Sequence, residues 1–445
     1  MKDKNLKIFM IGWEYPPHIT GGLGVACQGM ARALAAQGNR VLFMTPRLHG
    51  DEPQDEGIEL FDVQSRWEEL TPEEREKLGR LYMELTREAG FSAYSSQDYV
   101  PPGEGTSEHE HAEKFSREFL NFGGGMLLQG GYGWSLYQEI HTYAQAAELM
   151  ALRLDFDVIH AHDWMTFPAA LKAAEISGKP CILHVHATEF DRTGGNLNQY
   201  VYDLERDALH RCDRIISVSG YTRDILCDKY GLPPEKIDVV YNGVDFNGQS
   251  TPKRSPEERP IKDKLVLFLG RITFQKGPDH FVQAAKLVLD KLKNVRFVMA
   301  GGGDMYHRMI EYSAELGIGD RFHYTGPLNQ EDVRRMYDMA DLYIMPSVSE
   351  PFGIAPLEAA SRGIPVILSR QSGVSEVMNS CLKADFWDTR DLAEKIITLL
   401  TDEVLARDLQ EKSLEEVKEI TWERSAGGLM DSYRRLLSSH ANGSN

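Results

Sequence analysis

Two cations stand five residues apart in the segment Leu269-Gly270-Arg271-Ile272-Thr273-Phe274-Gln275-Lys276-Gly277. A guanidinium and an ammonium in one loop suit a diphosphate, whose charge they can neutralise in place of a metal ion. Further on, Glu350 and Glu358 lie eight residues apart. The first precedes an expected helix and suits sugar hydroxyls. The second, about two turns into that helix, suits ribose hydroxyls, and the amides near Gly353 at its start suit phosphate.

Imidazoles form a second group. His160-Ala161-His162-Asp163-Trp164 and His184-Val185-His186 each close an apolar run, which brings the rings and Asp163 to one crevice. Alternation turns His184 and His186 to the same side, with only His186 at the strand terminus. A metal held by His160, His162, His184 and His186 is conceivable. No imidazole and acidic ligands recur at i, i+4 spacing, however, so phosphate chemistry is preferred and no metal ligand is assigned. The first loop, Trp13 to Gly24, supplies Gly21, Gly22 and Gly24 for close backbone approach at a helix N-terminus. It is not G-x-G-x-x-G, and no acidic residue closes the next strand, which argues against a dinucleotide.

These residues sit where parallel βα units would put them. Short apolar runs at 6–11, 40–45, 157–161, 181–186, 214–219 and 237–241 alternate with helical patterns at 24–37, 167–176 and 199–210. After a polar stretch at 246–264, read as a linker, a second series follows at 265–269, 295–300, 321–325, 341–345 and 364–368. The expected fold is therefore α/β: two Rossmann-like, doubly wound parallel-sheet domains at 1–245 and 265–420, facing a central cleft. A final helix at 421–438 and a flexible tail at 439–445 complete the chain. In such sheets ligands bind at the strand C-termini, which is where the residues above fall.

The 445 residues carry a formal charge of −18. Residues 51–118 concentrate it, with 19 acidic against 7 basic residues, and read as a surface insertion and not as a core element. Such acidity disfavours nucleic acid and anionic membranes as partners. The second domain with its linker and tail is nearly neutral, with 29 acidic and 26 basic residues, and so remains open to an anionic substrate. The five cysteines are scattered, which fits neither a disulfide framework nor a zinc site. No window approaches the roughly 20 apolar residues of a membrane helix, and the apolar start at 6–11 is too short for a signal peptide, so a cytoplasmic location is expected.

Five features together resemble the retaining, nucleotide-sugar-dependent GT-B glycosyltransferases of the glycogen/starch synthase and related group. They are Thr20-Gly21-Gly22-Leu23-Gly24, His160-Ala161-His162-Asp163-Trp164, Asn242-Gly243-Val244-Asp245, the Arg271/Lys276 loop and the Glu350/Glu358 pair. The resemblance implies that Arg271 and Lys276 bind the diphosphate and that Glu350 holds the transferred sugar. The amides of Gly353 and Ile354 would lie beside that sugar, and Glu358 would contact the ribose. It further implies His186 against the sugar, Asp163 near sugar or acceptor, Asn242 as a further polar contact, and Gly21, Gly22 and Gly24 along the phosphates. The terminal helix would cross back to the first domain.

The chain departs from the family's ADP-glucose-dependent bacterial members at Ile19, where they commonly carry lysine, and after His186, where Ala187 replaces a common Asn. The implied activity is hexose transfer, glucose above all, from a UDP- or ADP-sugar to a glycan, with no metal or other cofactor. A related transferase using a small sugar or glycolipid is the nearest alternative. A non-catalytic nucleotide-sugar sensor and a nucleotide-sugar epimerase are further ones.

Overall fold

The computed structural model describes residues 5–18, 21–62, 136–245 and 262–443. The first sheet takes β1 (Lys7–Ile11), β2 (Arg40–Thr45), β3 (Ile58–Asp62), β4 (Val158–His162), β5 (Cys181–Val185), β6 (Arg214–Ser217) and β7 (Ile237–Val239). Their order is β3-β2-β1-β4-β5-β6-β7. With them go helices α1 (Gly22–Ala36), α2 (Leu136–Ala151), α3 (Phe167–Ser177), α4 (Glu189–Thr193), α5 (Gln199–Arg211) and α6 (Gly220–Tyr230). The second sheet takes β8 (Lys264–Leu269), β9 (Val295–Ala300), β10 (Phe322–Gly326), β11 (Leu342–Met345), β12 (Val366–Ser369) and β13 (Leu382–Ala384), ordered β10-β9-β8-β11-β12-β13. Its helices are α7 (Pro278–Lys291), α8 (Tyr306–Glu315), α9 (Gln330–Met339), α10 (Ala355–Ser361), α11 (Thr389–Thr401) and α12 (Glu403–Lys418), and α13 (Trp422–Gly443) follows.

Every ladder is parallel. Parallel sheets need cover on both faces, and the unbroken apolar strands supply it. In the first domain Phe9, Ile159, Leu183 and Ile215 face one core, while Ile8, Ile182 and Ile216 face the other together with Trp422, Leu429 and Tyr433 of α13. The second sheet repeats the arrangement, with Phe268, Phe297 and Ile344 on one side and Leu267, Val298 and Tyr343 on the other.

The strand order reverses direction between β1 and β4 and again between β8 and β11. Loops beside such a reversal diverge and open a crevice. The Gly21–Gly24 and Asp163 loops flank the first reversal, and the Arg271–Lys276 and Glu350 loops flank the second.

Two sequence expectations need correction. The stretch 51–118 is not wholly an excursion, because Ile58–Asp62 forms the edge strand of the first sheet in register with β2. Its partly buried, acid-flanked residues hide it in an acidic window. Glu358 is not two turns into its helix. Gly353, at φ +96°, and Pro356 delay the helix start to Ala355, which leaves Glu358 in the first turn. The rest of the insertion, Ile19, Thr20 and most of the 246–264 linker lie outside the described residues.

The last helix belongs to the first domain. Trp422 of α13 packs on Gly29 of α1 so closely that an added Cβ would come within 2.3 Å of its ring. Ser425 donates to the Tyr241 carbonyl at 2.6 Å, and Ser432 to Asp238 at 2.7 Å. Among the described residues no helix is long and apolar enough to cross a membrane.

Candidate active site

The cation loop is built by glycines on a neighbouring strand end. Gly301 approaches the Gly270 carbonyl and Gly303 the Ile272 carbonyl so closely that a Cβ on either would lie within 2.2 Å. Ile272 donates to Gly302 at 2.8 Å and Met305 to Ile272 at 3.0 Å, which locks the turn that carries Arg271. Gly277, at φ +63°, sits on the Pro346 carbonyl and draws this loop to the next. Buried Gln275 completes the junction: its carbonyl accepts from the Val348 N–H at 2.9 Å. The run Gly301-Gly302-Gly303 after an apolar strand is the sequence signal that would have identified this support.

On that frame Lys276 forms an ion pair with Glu350, which is 6% exposed and also accepts from Ser347 Oγ at 3.2 Å. Arg271 is exposed, with its guanidinium near Gln275. Gly353, where a Cβ would crowd Met345 and Glu350, and Ile354 lead from this group into α10. Glu358 stands apart and accepts from Tyr337 at 2.9 Å, and burial raises its carboxyl above the ordinary carboxylate range.

The histidines of the first sheet form a two-by-two array. His160 Nε2 meets His184 Nδ1 at 3.1 Å, and His162 Nδ1 meets His186 Nε2 at 3.0 Å. The two pairs stack, with His160 on His162 at 4.4 Å between ring centres and His184 on His186 at 4.3 Å. Tyr433 of α13 closes the far end, 2.5 Å from His160 Nδ1. Burial pulls His160 and His186 down to about 3, and holds His162 and His184 far below the usual imidazole range, so all four rings are neutral near pH 7.

Among the described residues, the Nε2 atoms of His162 and His184 are buried without partners. A proton there would be a buried donor with no acceptor, so both are assigned as bare. His162 then donates through Nδ1 to His186, which keeps its own proton on Nδ1. His160, His162 and His184 come close enough to be considered as metal ligands, but His160 Nε2 and His184 Nδ1 are already bonded to each other. In the other such group, His18, Asp51 and Glu52, the Glu52 carboxylate already accepts from the backbone N–H groups of His49 and Gly50.

Asp163 has a structural role that sequence does not show. It adopts φ +63°, costly for a non-glycine residue, and its Oδ1 accepts from the N–H groups of His186 at 2.8 Å and Ala187 at 3.2 Å. Burial raises its carboxyl to about 6. Arg192, missed in the sequence, holds the next peptide by donating to the Ala187 carbonyl at 3.0 Å. Buried Glu189 and Glu205 pair with that guanidinium.

The glycine loop leaves room. Among the described residues, a Cβ added at Gly21 or Gly22 would meet nothing within 4 Å, and the α1 N-terminus, with Gly24 in its first turn, has neither a side-chain cap nor an acidic first turn. Asn242 is 6% exposed and its Oδ1 lacks a hydrogen bond. The adjoining Gly243 rests on the Thr421–Trp422 backbone, so this segment is also where the chain crosses between domains.

The two sets of loops touch. Ser349 donates to Asp191 of α4, the Ser219 hydroxyl donates to the Pro351 carbonyl at 2.6 Å, and Glu376 accepts from the N–H groups of Gly220 and Tyr221. His186 and the Arg271–Lys276–Glu350 group thus border one cleft from opposite domains.

Comparison with known proteins gives a consistent family. Residues 99–247 match the glycosyltransferase family 4 model, and residues 249–416 match the model of glycosyl transferases group 1. The chain is 28% identical over 386 residues to an uncharacterised glycosyltransferase of Methanocaldococcus jannaschii, covering 84% of this chain and 83% of that one. It is 26% identical over 416 residues to a glycogen synthase of Mycobacterium tuberculosis, covering 90% and 88%. Its fold is similar to that of sucrose-phosphate synthase from Thermosynechococcus elongatus, with a TM-score of 0.71, 18% identity and coverage of 98% and 100%. Matched in both halves and folded as two facing parallel-sheet domains, the chain belongs to the GT-B glycosyltransferases and is a sugar-transferring enzyme.

Proposed function

We propose that the enzyme transfers a hexose, most often glucose, from a nucleoside-diphosphate sugar to a glycan with retention at the anomeric carbon, in the manner of α-glucan elongation in the cytoplasm. The observation that carries this reading is the grouping of Arg271, Lys276 and Glu350 at one strand-order reversal, across the cleft from neutral His186.

Arg271 and Lys276 offset the charge that grows on the departing diphosphate; each such contact lowers the barrier by roughly 3 kcal/mol. Lys276 turns from Glu350 to a phosphate oxygen when donor binds, which frees Glu350 to accept from sugar hydroxyls. Glu358 holds the ribose, and Asn242 supplies a further polar contact. Gly21, Gly22 and Gly24 let backbone approach the phosphates. The acceptor hydroxyl oxygen bonds to the anomeric carbon on the face the leaving group vacates, the bond to the phosphate oxygen breaks, and the hydroxyl proton passes to that oxygen. His186 lies against the sugar, with its ring set by His162, its own peptide by Asp163 and the Ala187 carbonyl by Arg192. The two cations make a metal dispensable, and no other cofactor is required.

A second reading, transfer to a small sugar or a glycolipid, is favoured by Ile19 and Ala187, which stand where the ADP-glucose-dependent bacterial synthases commonly carry lysine and Asn. Labelled UDP-glucose and ADP-glucose, each with and without glycogen, separate the possibilities. Label incorporated into glycogen supports elongation, and label on small acceptors alone supports the second reading. Donor turnover independent of any acceptor, or nucleotide binding without turnover, would remove both.

A further inference from the structure

Of the exposed aromatic residues among those described, Tyr137, Tyr200 and Phe274 surround α4 on the cleft side, leaving only Trp387 elsewhere. Phe274 belongs to the cation loop and rests on Gly194, at the end of α4. Tyr137 and Tyr200, 43% and 51% exposed, meet edge to face with centroids 4.7 Å apart at 73°. Tyr137 opens α2 and Tyr200 opens α5. Both helices begin at the edge of the first sheet where the strands end, the same edge that holds His186. Trp164, next to Asp163, lies 6.4 Å from Tyr137.

The pair is held in advance. Asn198 donates from its side chain to the Tyr137 hydroxyl at 3.0 Å, while its Oδ1 accepts from the Tyr200 N–H at 3.1 Å and caps α5. Its own N–H donates at 2.9 Å to Glu189, which pairs with Arg192, and Arg192 holds the Ala187 carbonyl. The two rings and the catalytic loop are therefore parts of one hydrogen-bonded frame. Aromatic faces kept in water and fixed beside a sugar-transfer cleft suit the apolar C–H face of a pyranose ring. The polar groups at hand, Asn198 with Gln199 and Asp203 bonded to each other, offer an amide and a carboxylate for hydroxyls. Arg192, the cation bonded into that frame, is engaged by two buried carboxylates and is not available to a phosphate.

We infer that Tyr137 and Tyr200 form an acceptor subsite that stacks a neutral glycan of several rings and presents its end to the cleft. This rests on the proposed transferase reading and narrows its acceptor to an unphosphorylated oligosaccharide.

The test compares wild type with Tyr137→Ala, Tyr200→Ala and Tyr200→Phe, each checked for unchanged thermal unfolding. Acceptor KM is measured with maltooligosaccharides of two to seven units, and maltoheptaose binding is measured by calorimetry without donor. Both alanine variants should raise acceptor KM and weaken maltoheptaose binding about tenfold, while Tyr200→Phe, which keeps the ring, and the donor KM stay as in wild type. Unaltered glycan binding in both alanine variants would overturn the inference, as would wild-type protein that binds no maltoheptaose. Failure of the transferase reading shows separately, as absence of donor turnover with any acceptor. Ring-dependent maltoheptaose binding would still support the subsite in that case.

Discussion

The imidazoles of His162 and His186 share a single hydrogen bond of 3.0 Å, Nδ1 to Nε2, between adjacent strand ends of one sheet. That bond fixes which nitrogen of His186 carries its proton, although His162 is itself fully buried. His162→Phe should keep the stacked packing and lose the bond, lowering kcat about tenfold with donor KM little changed, while His162→Asn, which retains a donor, recovers part of the loss. Equal losses in the two variants would mean that packing, not tautomer control, is what His162 provides.

Lys276 and Glu350 form an ion pair, so removing either leaves the other charge with less compensation. Arg271→Ala with Lys276→Ala should cut kcat by at least a hundredfold, and EDTA should leave the wild-type rate as it was. Steady-state rates with and without chelator decide the point, and unchanged turnover in the double variant would exclude these cations from the chemistry.

Asp163 titrates at about 6, raised from 3.8 by burial, and it accepts two backbone bonds in its charged form. Protonation weakens both, so kcat should fall as pH drops through about 6. The same shift makes the folded state bind the proton more tightly than the unfolded one. This group's stabilising contribution is therefore full below about 4 and is lost as pH rises through 6. An acid limb in kcat without a parallel loss of fold is the expected signature. Asp163→Asn should abolish the limb, and a pH profile unchanged by that substitution would assign it to another group.

Gly29 lies against the Trp422 ring with no room for a Cβ. Alanine favours a helix interior by about 1 kcal/mol over glycine, yet the clash demands movement of a buried indole, and overpacking costs typically 1–3 kcal/mol. The clash should win. Gly29→Ala is expected to lower the unfolding temperature, and calorimetry showing an increase would mean that α13 shifts freely on α1.

How much of this is visible in sequence depends on the range of the interaction. The cation loop, Glu350 and the two sheets are legible because residue type, spacing and unbroken apolar strands are local facts. Edge strand Ile58–Asp62 is not, since three of its five residues are only partly buried and it sits in an acidic window. The histidine array follows from the register that pairs His162 with His184, which no local pattern encodes. Arg192 reads as an ordinary surface arginine until α5 brings Glu205 to it. Asp163 attracts notice as a charge in a crevice, but its left-handed backbone and its grip on the His186 peptide belong to three dimensions.

Gly243 pressed on Thr421–Trp422 joins the two points where the described chain passes between the sheets, and Val244 donates there to the Ile420 carbonyl at 3.1 Å. Two stretches of backbone pinned together at one spot hold the crossings at a fixed separation. If the sheets turn relative to each other as substrate enters and leaves, the crossings stay together at that spot. Because α13 rides with the first sheet, Tyr433 and the four imidazoles travel as one body with His186, while Arg271, Lys276 and Glu350 swing toward them as another. The assembled arrangement of donor and acceptor groups is then a property of the rotation angle, and a side chain larger than hydrogen at 243 would force the crossings apart without touching a single reacting atom.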